Sequence, residues 1–436
     1  MSLPGEDENP TAAVSWNLEA VFNATTLEPD INLAVYDQNQ QAIGTARIRP
    51  SLDKPFHGWL RLMDASNTSK RKMPLVGEIF VQYICRSSTE VMYRPEDFEI
   101  LHLIGKGSRG RVYQVRKRDT KRLYAMKVFR KEKILNKHDA LRERTILATV
   151  SGCSFVTNLK FAFQTTTTLH LVMDFHAGGD LSSHQLRQEK GFFDEATAKF
   201  YIAEVILALQ NLHEHGIIHC SLRPEDILLG ADGHIVLVDF GLAIDNIRGL
   251  GGGVGLSEVN EFIAPELYLD SGGYTPVVDF WSLGVVAFEL SCGWNPFYGE
   301  DAQEICKKIC MEKVRFPRNR VSAEFKSFIK VLLHRNPKVR LGADHGCKEL
   351  KDHPAMADID WDRLSRKQFD PPFKPQLSSD GDVSYFGTNL TGASSAIAWS
   401  DEGAAAITSS QQALFDGFDY AYETALIDDM NSILQL

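Results

Sequence analysis

Apolar and polar residues alternate through the first part of the chain. Trp16, Leu18, Ala20 and Phe22 fall two apart, as do Ile31, Leu33 and Val35, and later Ile79, Val81 and Tyr83. Period two marks strands with one buried face. Turn-rich pieces (LEPD, DQNQQ, RPSLDKP) separate these runs, so four or five short antiparallel strands are predicted between Val14 and Cys85. They suffice for a thin sandwich at most. A second pattern starts at Phe98. EILHLIG, RVYQVRK and RLYAMKVFR read as strands, a helix follows near Leu141–Val150, and two further apolar strands end in LHLVMDF. After Gly179 the period turns helical. Asp194 reads as an N-cap, Tyr201, Val205, Ala208 and Leu212 recur at spacings of four, three and four, and Gly216 stops the helix. A small β-rich lobe ahead of a larger helical lobe is therefore predicted. Beyond Pro375 the periodicity fades until an aromatic cluster, FDGFDY.

Composition narrows the class. With 436 residues, 44% hydrophobic and 24% charged, the chain reads as globular, and collagenous, disordered and coiled-coil readings fall. At about 150 residues per domain there is room for roughly three units. No apolar run approaches the ~20 residues of a membrane span, and MSLPGEDENP has the marks of neither a signal nor a transit peptide. Seven scattered cysteines without a C-x-x-C suggest neither a disulfide frame nor a zinc ribbon, so a reducing cytoplasm or nucleus is expected. From Gln376 onward there are nine acidic residues and no Lys or Arg, which is nearly the whole of the net charge of −10. A dedicated nucleic-acid binder would need a basic face instead.

Chemistry enters at Gly105-Lys106-Gly107-Ser108-Arg109-Gly110-Arg111-Val112, a G-x-G-x-x-G-x-V run. A dinucleotide site needs a helix after the glycines; RVYQV alternates, so a hairpin is expected, its backbone N–H groups closing over phosphates. Lys127 lies on the next strand but one and Glu143 on the helix after it, the order in which a strand lysine is pinned by a helix carboxylate. Asp239-Phe240-Gly241 supplies a carboxylate suited to Mg²⁺. Ala264-Pro265-Glu266 follows, and Asp279-Phe280-Trp281-Ser282-Leu283-Gly284 opens a long apolar helix.

With these landmarks in order over about 260 residues, the sequence resembles the eukaryotic protein kinase family. Asn336-Pro337-Lys338-Val339-Arg340-Leu341-Gly342, His353-Pro354, Asp370-Pro371-Pro372-Phe373 and a terminal F-x-x-F-x-Y are similar to its AGC group. The N-terminal strands with GWNPFYGED, KVRFPR and ADIDWDRL resemble Akt-like fungal nutrient-response kinases that carry a C2 domain, of which only about the second half is matched. The only calcium-type loop carboxylate there is Asp37 in VYDQNQQ, and one carboxylate is not a calcium site. The resemblance implies an α+β, bilobal kinase fold. Residues 1–95 would be a partial C2-like β region, 98–354 the kinase domain (small lobe 98–173, large lobe 177–354), and 355–436 an AGC-type tail.

The resemblance also assigns roles. ATP would meet Ile104, Gly105, Lys106, Gly107 and Gly110 of the loop, Lys127 with Glu143, and an adenine slot of Val112, Ala125 and Leu228. Met173 would be the gatekeeper, Asp174 to His176 the hinge, and Asp180 the ribose contact. Asp239 and Asp226 would hold Mg²⁺, and His219, Phe240 and Asp279 would form the packed spine. Phe415 and Phe418 would insert into a groove on the small lobe, with Asp419 where regulated relatives carry Ser or Thr. Ser409 is a candidate phosphosite in the tail.

Departures from the family gather in one place. Where it reads H-R-D-L-x-x-x-N, this chain reads His219-Cys220-Ser221-Leu222-Arg223-Pro224-Glu225-Asp226. Ser221 stands at the position of the base, and losing such a group costs a factor of about 10²–10⁴. Arg223 replaces a lysine and Asp226 the metal-binding asparagine. The usual phosphorylated residue falls at Gly255, the threonine that contacts the base at Val259, and the phosphate-pairing arginine at Cys220. The expected function is an ATP-binding serine/threonine kinase homologue of intracellular signalling with impaired phosphotransfer. One alternative is an active kinase with an unusual catalytic loop. Another is an interaction module with an empty nucleotide cleft, its N-terminal strands meeting a membrane or a protein. Neither substrate nor protein partner is legible.

Overall fold

The computed structural model describes residues 31–36, 42–48, 56–64, 75–83, 93–107, 110–134, 137–245, 260–269, 275–387 and 407–421. The chain divides into two units, residues 1–91 with 423–436 and residues 92–422.

The first unit holds strands β1 (Ile31–Tyr36), β2 (Ala42–Ile48), β3 (Phe56–Asp64) and β4 (Leu75–Tyr83). They form one antiparallel sheet in the order β1-β2-β3-β4. Side chains alternate across it: Ala46, Ile48 and Leu62 are buried, while Trp59, an odd number of positions from Leu62, is exposed. The described strands make one antiparallel layer, and the Trp16–Phe22 run lies outside the described residues.

In the second unit, β5 (Phe98–Gly107) and β6 (Gly110–Lys117) form a hairpin closed by the pair Gly107↔Gly110. Next come β7 (Leu123–Arg130), helix α1 (Lys137–Val150), β8 (Leu159–Gln164) and β9 (Thr168–Asp174). The sheet order is β12-β8-β9-β7-β6-β5, where β12 (Tyr420–Ala421) arrives from the far tail. Phe98, Tyr113, Val115, Tyr124, Met126, Phe161, Phe163 and Val172 pack as its core. Helix α1 starts a turn before the apolar spacing suggested, because its first residues (KHDA) are largely polar.

The large lobe begins with α2 (Leu181–Leu186) and α3 (Glu195–Glu214). The Asp194 carboxylate caps α3 by accepting from Thr197 N at 2.8 Å, and its middle turns, Tyr201 to Leu209, are buried all round. A short ribbon, β10 (Ile227–Leu229) with β11 (Ile235–Leu237), and helices α4 (Pro265–Tyr268), α5 (Val277–Cys292), α6 (Ala302–Met311) and α7 (Ala323–Leu332) follow. Of the sixteen residues of α5 all but Glu289 are buried, which is how a helix apolar on every side behaves inside a lobe. Gly293 ends it at φ 98°, a left-handed conformation that glycine adopts without penalty. No helix among the described residues is long and apolar enough to cross a membrane.

Candidate nucleotide and phosphotransfer site

Strand register assembles the nucleotide-facing row. Gly105 lies opposite Val112, Val112 opposite Lys127, and Ala125 opposite Met173. Ala125 and Lys127 are two apart, so both point to the same face of β7. The middle residue of β10, Leu228, is half-exposed between buried Ile227 and Leu229, and so is Val112 beside buried Tyr113. These are the positions the sequence assigned to an adenine slot. Gly110 is needed sterically: a Cβ there would stand 2.6 Å from the Val128 carbonyl oxygen. Lys106 and Gly107 are exposed at the lip and Ile104 is buried beneath them.

Three motifs far apart in sequence meet at Lys127. Its Nζ lies 2.6 Å from Glu143 Oε1 and 2.8 Å from Asp239 Oδ1. Burial favours the neutral amine, but the charges of Asp239 and Glu143 outweigh it and hold the ammonium pKa well above its ordinary value. The Lys127 charge in turn holds the Asp239 carboxyl far below the usual carboxylate range. Glu143 is available only because α1 packs against the sheet; its lower neighbour Leu147 is 1% exposed, in one apolar cluster with Leu159 and Phe240.

The catalytic loop is held from beneath. Asp279, at the start of α5 and wholly buried, accepts from His219 N at 2.9 Å, Cys220 N at 2.8 Å and faces His213 Nε2 at 2.8 Å. Cys220 and Asp239 both have φ near +60°, a region that L residues rarely occupy. Such strain persists where the surroundings over-determine it, as the Asp279 carboxylate does for Cys220. The His219 and Phe240 rings pack edge-on at 5.2 Å. Sequence reading placed His219, Phe240 and Asp279 together; Leu147, Leu159 and His213 it passed over, since apolar spacing alone does not say which leucine touches what.

Ser221 is buried at the base position, beside Leu222 and ahead of Arg223. Arg223 Nε approaches Asp226 Oδ2 at 3.4 Å. Asp226 is 4% exposed; burial first, then the charge of Asp239, pushes its carboxyl well above the usual range, which Arg223 only partly offsets. Two carboxylates with oxygen donors on one side of the cleft suit a hard divalent cation. Without a cation they repel. We therefore expect Asp226→Asn to stabilise the ligand-free protein at pH 7. The sign follows from the raised folded value: ionising Asp226 opposes folding above the unfolded value of about 3.9, by at most about 1.4 kcal/mol per pH unit. Urea unfolding of both proteins should give stabilities that converge below about pH 3.9 and separate toward neutrality. Equal stability at pH 7 would contradict this account.

The side chains of the hinge segment are engaged by neighbouring polar groups. Asp174 accepts from Asn158 Nδ2 at 2.8 Å and pairs with Lys160 at 3.5 Å, and His176 Nε2 meets Thr157 Oγ1 at 3.2 Å. What the hinge offers a base is its backbone. Asp180 caps α2, accepting from Ser183 N at 2.7 Å and Ser183 Oγ at 2.8 Å, which leaves it half-buried at the cleft edge. Gly255 and Val259 lie outside the described residues. On α1, Arg142 is paired within the helix to Asp139. Cys220, where the resemblance implies a phosphate-pairing arginine, is a buried thiol whose pKa is raised by burial.

One acidic group was not singled out in the sequence. Glu289, the one half-buried residue of the otherwise buried α5, is pushed up to about 7 by burial, and the charges of Glu225 and Glu261 add to that. Asn295 Nδ2 donates to it at 2.8 Å. The three carboxylates come from the catalytic loop, the segment before α4 and the end of α5, so no local pattern joins them.

The tail docks on the small lobe. Phe415 and Phe418 are fully buried. Lys131 Nζ stands 5.1 Å from the Phe415 ring centroid and donates to Gln164 Oε1, Thr165 O and Gln412 Oε1 at 2.9, 2.6 and 2.9 Å. Gln164 Nε2 donates to Phe415 O at 2.9 Å and approaches Asp419 Oδ2 at 3.4 Å, while Arg144 donates to Gly417 O. Burial pulls Lys131 down to about 8, with Asp419 opposing.

Comparison with known proteins matches this geometry. A family profile described as "Protein kinase domain" covers residues 98–355. The serine/threonine-protein kinase SCH9 of Candida albicans is 42% identical over 98% of this chain and 55% of its own length. SCH9 of Saccharomyces cerevisiae is 40% identical over 98% of the chain and 52% of its own length, and sck1 of Schizosaccharomyces pombe 45% identical over 86% and 54%. The chain spans about half the length of these curated relatives. With more than half of its residues inside that profile and the lysine, helix glutamate and DFG aspartate joined in one cleft, this chain belongs to the protein kinase family.

Proposed function

We propose that the chain binds Mg–ATP and a basic protein segment in a kinase cleft but transfers phosphate poorly or not at all. The observation that carries this reading is the pairing of an assembled Lys127–Glu143–Asp239 triad with a serine at the base position. ATP would lie under the Gly105–Gly110 loop, its phosphates on Lys127 and its cation on Asp239 and Asp226. The bound nucleotide supplies the transferable phosphoryl group. Ser221 has no charge to orient or deprotonate an acceptor alcohol, and Arg223 is engaged with the metal-side carboxylate Asp226 rather than free to meet a phosphate. Glu225, Glu261 and Glu289 give the segment that binds alongside its basic character.

The remaining parts extend this reading. Asp419, set between Gln164 and the positive Lys131 and Arg144, stands in for a phosphate in the tail. Residues 1–95 act as a C2-like β region, 98–354 as the kinase domain and 355–436 as its tail, in a reducing compartment, cytoplasm or nucleus. An active enzyme is the second reading, favoured by the intact triad, with Asp226 or water replacing the base.

Thermal shift with Mg–ATP, run beside a phosphotransfer assay on an Arg-rich peptide, separates the readings. The parent should gain about 2.7 kcal/mol at 100 times Kd and Lys127→Met should gain none. Turnover near about 1–100 s⁻¹ in the parent would overturn impaired transfer. Stabilisation by ATP in neither protein would favour a nucleotide-free interaction module. Ser221→Asp should stay inactive, because Gly255, Val259 and Cys220 are still changed.

A further inference from the structure

Helix α6 carries Cys306 and Cys310 one turn apart on one face. Both are half-buried and neither is in a disulfide. Residues four apart on a helix stand side by side, so the two thiols are neighbours on α6. The turn that bears Cys310 is clamped from outside: Arg335 Nε donates to Ile309 O at 2.7 Å, and its Nη2 reaches Lys308 O at 3.3 Å and also Glu312 O. Helix α6 packs against α4, whose Tyr268 hydroxyl donates to Asn260 O at 2.7 Å.

Geometry selects what this pair can bind. Cβ atoms four residues apart on a helix are about 5–6 Å from each other, whereas a disulfide needs about 3.5–4.5 Å. A direct S–S bond would have to unwind a turn that Arg335 holds. One atom placed between the sulfurs, with bonds of about 2.3 Å like those thiolates make to an ion, spans the gap without unwinding. A tetrahedral metal ion needs four ligands, and among the described residues no group of three or more His, Cys, Asp or Glu side chains is placed to hold one. The acceptor must therefore be satisfied by two thiols. Burial and the neighbouring Cys306 hold Cys310 above its ordinary pKa, which keeps it as the thiol and slows its oxidation.

We infer that Cys306 and Cys310 form a dithiol site for monosubstituted trivalent arsenicals. The reaction is a condensation: the arsenic–oxygen bond of R–As=O is exchanged for two As–S bonds, and the oxygen leaves as water with both thiol protons. No electron changes hands.

Phenylarsine oxide added to the full chain tests this, with Cys306→Ser and Cys310→Ser as variants. The parent should show, by intact mass, one adduct less one water that survives excess 2-mercaptoethanol and is stripped by 2,3-dimercaptopropanol. Both variants should lose that adduct. Its persistence in either variant, or its absence from the parent under monothiol, overturns the site. Should a variant fail to fold, peptide mapping of the parent adduct decides: arsenic anywhere other than on the peptide spanning Cys306 and Cys310 refutes the proposal.

Discussion

Arg340→Ala should destabilise the large lobe by about 3–5 kcal/mol. Arg340 is 1% exposed, and its guanidinium grips Glu266 with both arms, Nη1 to Oε1 at 2.5 Å and Nη2 to Oε2 at 2.7 Å. The same group donates to Val277 O at 2.8 Å and His334 O at 2.9 Å, and lies 5.2 Å from the Trp281 ring. Removing it strands the buried Glu266 carboxylate and two carbonyls at once. Most of the loss is the cost of that unpaired charge, so the double variant Arg340→Met with Glu266→Leu should recover a large part of it. Chemical denaturation of the three proteins measures this. A single variant within about 1 kcal/mol of the parent would mean that Glu266 reaches water and the fork is ornamental.

Phe418→Ala should release the tail. Deleting a buried phenyl ring costs about 3–5 kcal/mol when the cavity cannot collapse, and detachment offers a cheaper escape. Phe418 N donates to Phe415 O at 3.1 Å, so one turn carries both rings and they should leave together. With them goes β12, whose pairs Tyr420↔Ala162 and Ala421↔Phe161 cover the edge of β8. Amide exchange on β8 should accelerate toward that of an open edge strand, while α5 keeps its protection. Unchanged exchange at Ala162 would show that the tail is held by something other than its aromatics.

Much of this cleft was legible because its chemistry is written in short runs. Gly105 to Val112, Lys127, Glu143 and Asp239 each sit in a recognisable local setting, and the alternation after the glycines already excluded a helix there. Partners across long separations were not legible. Glu266 and Arg340 belong to two motifs that were both read, yet nothing in either says that they clasp each other from 74 residues apart. The three acceptor contacts of Asp279 and the convergence of Glu225, Glu261 and Glu289 are of the same kind. Periodicity tells which face is covered; it does not name the covering side chain. The hinge shows the converse, since Asp174 and His176 were placed correctly on the strand end and beyond it, but their side chains found nearer polar partners in Asn158 and Thr157.

The strand borrowed from the far tail has a consequence for biosynthesis. Lys131 and Gln412, 281 residues apart, share a hydrogen bond, and β8 has its outer neighbour only after Tyr420 exists. On the ribosome the small lobe must wait through translation of the whole large lobe, with one sheet margin bare. Such distant pairing is slow to form and leaves a nascent chain exposed to mispairing in the interval. A chaperone that shields that margin would be needed most while the α5 to α7 region is still emerging.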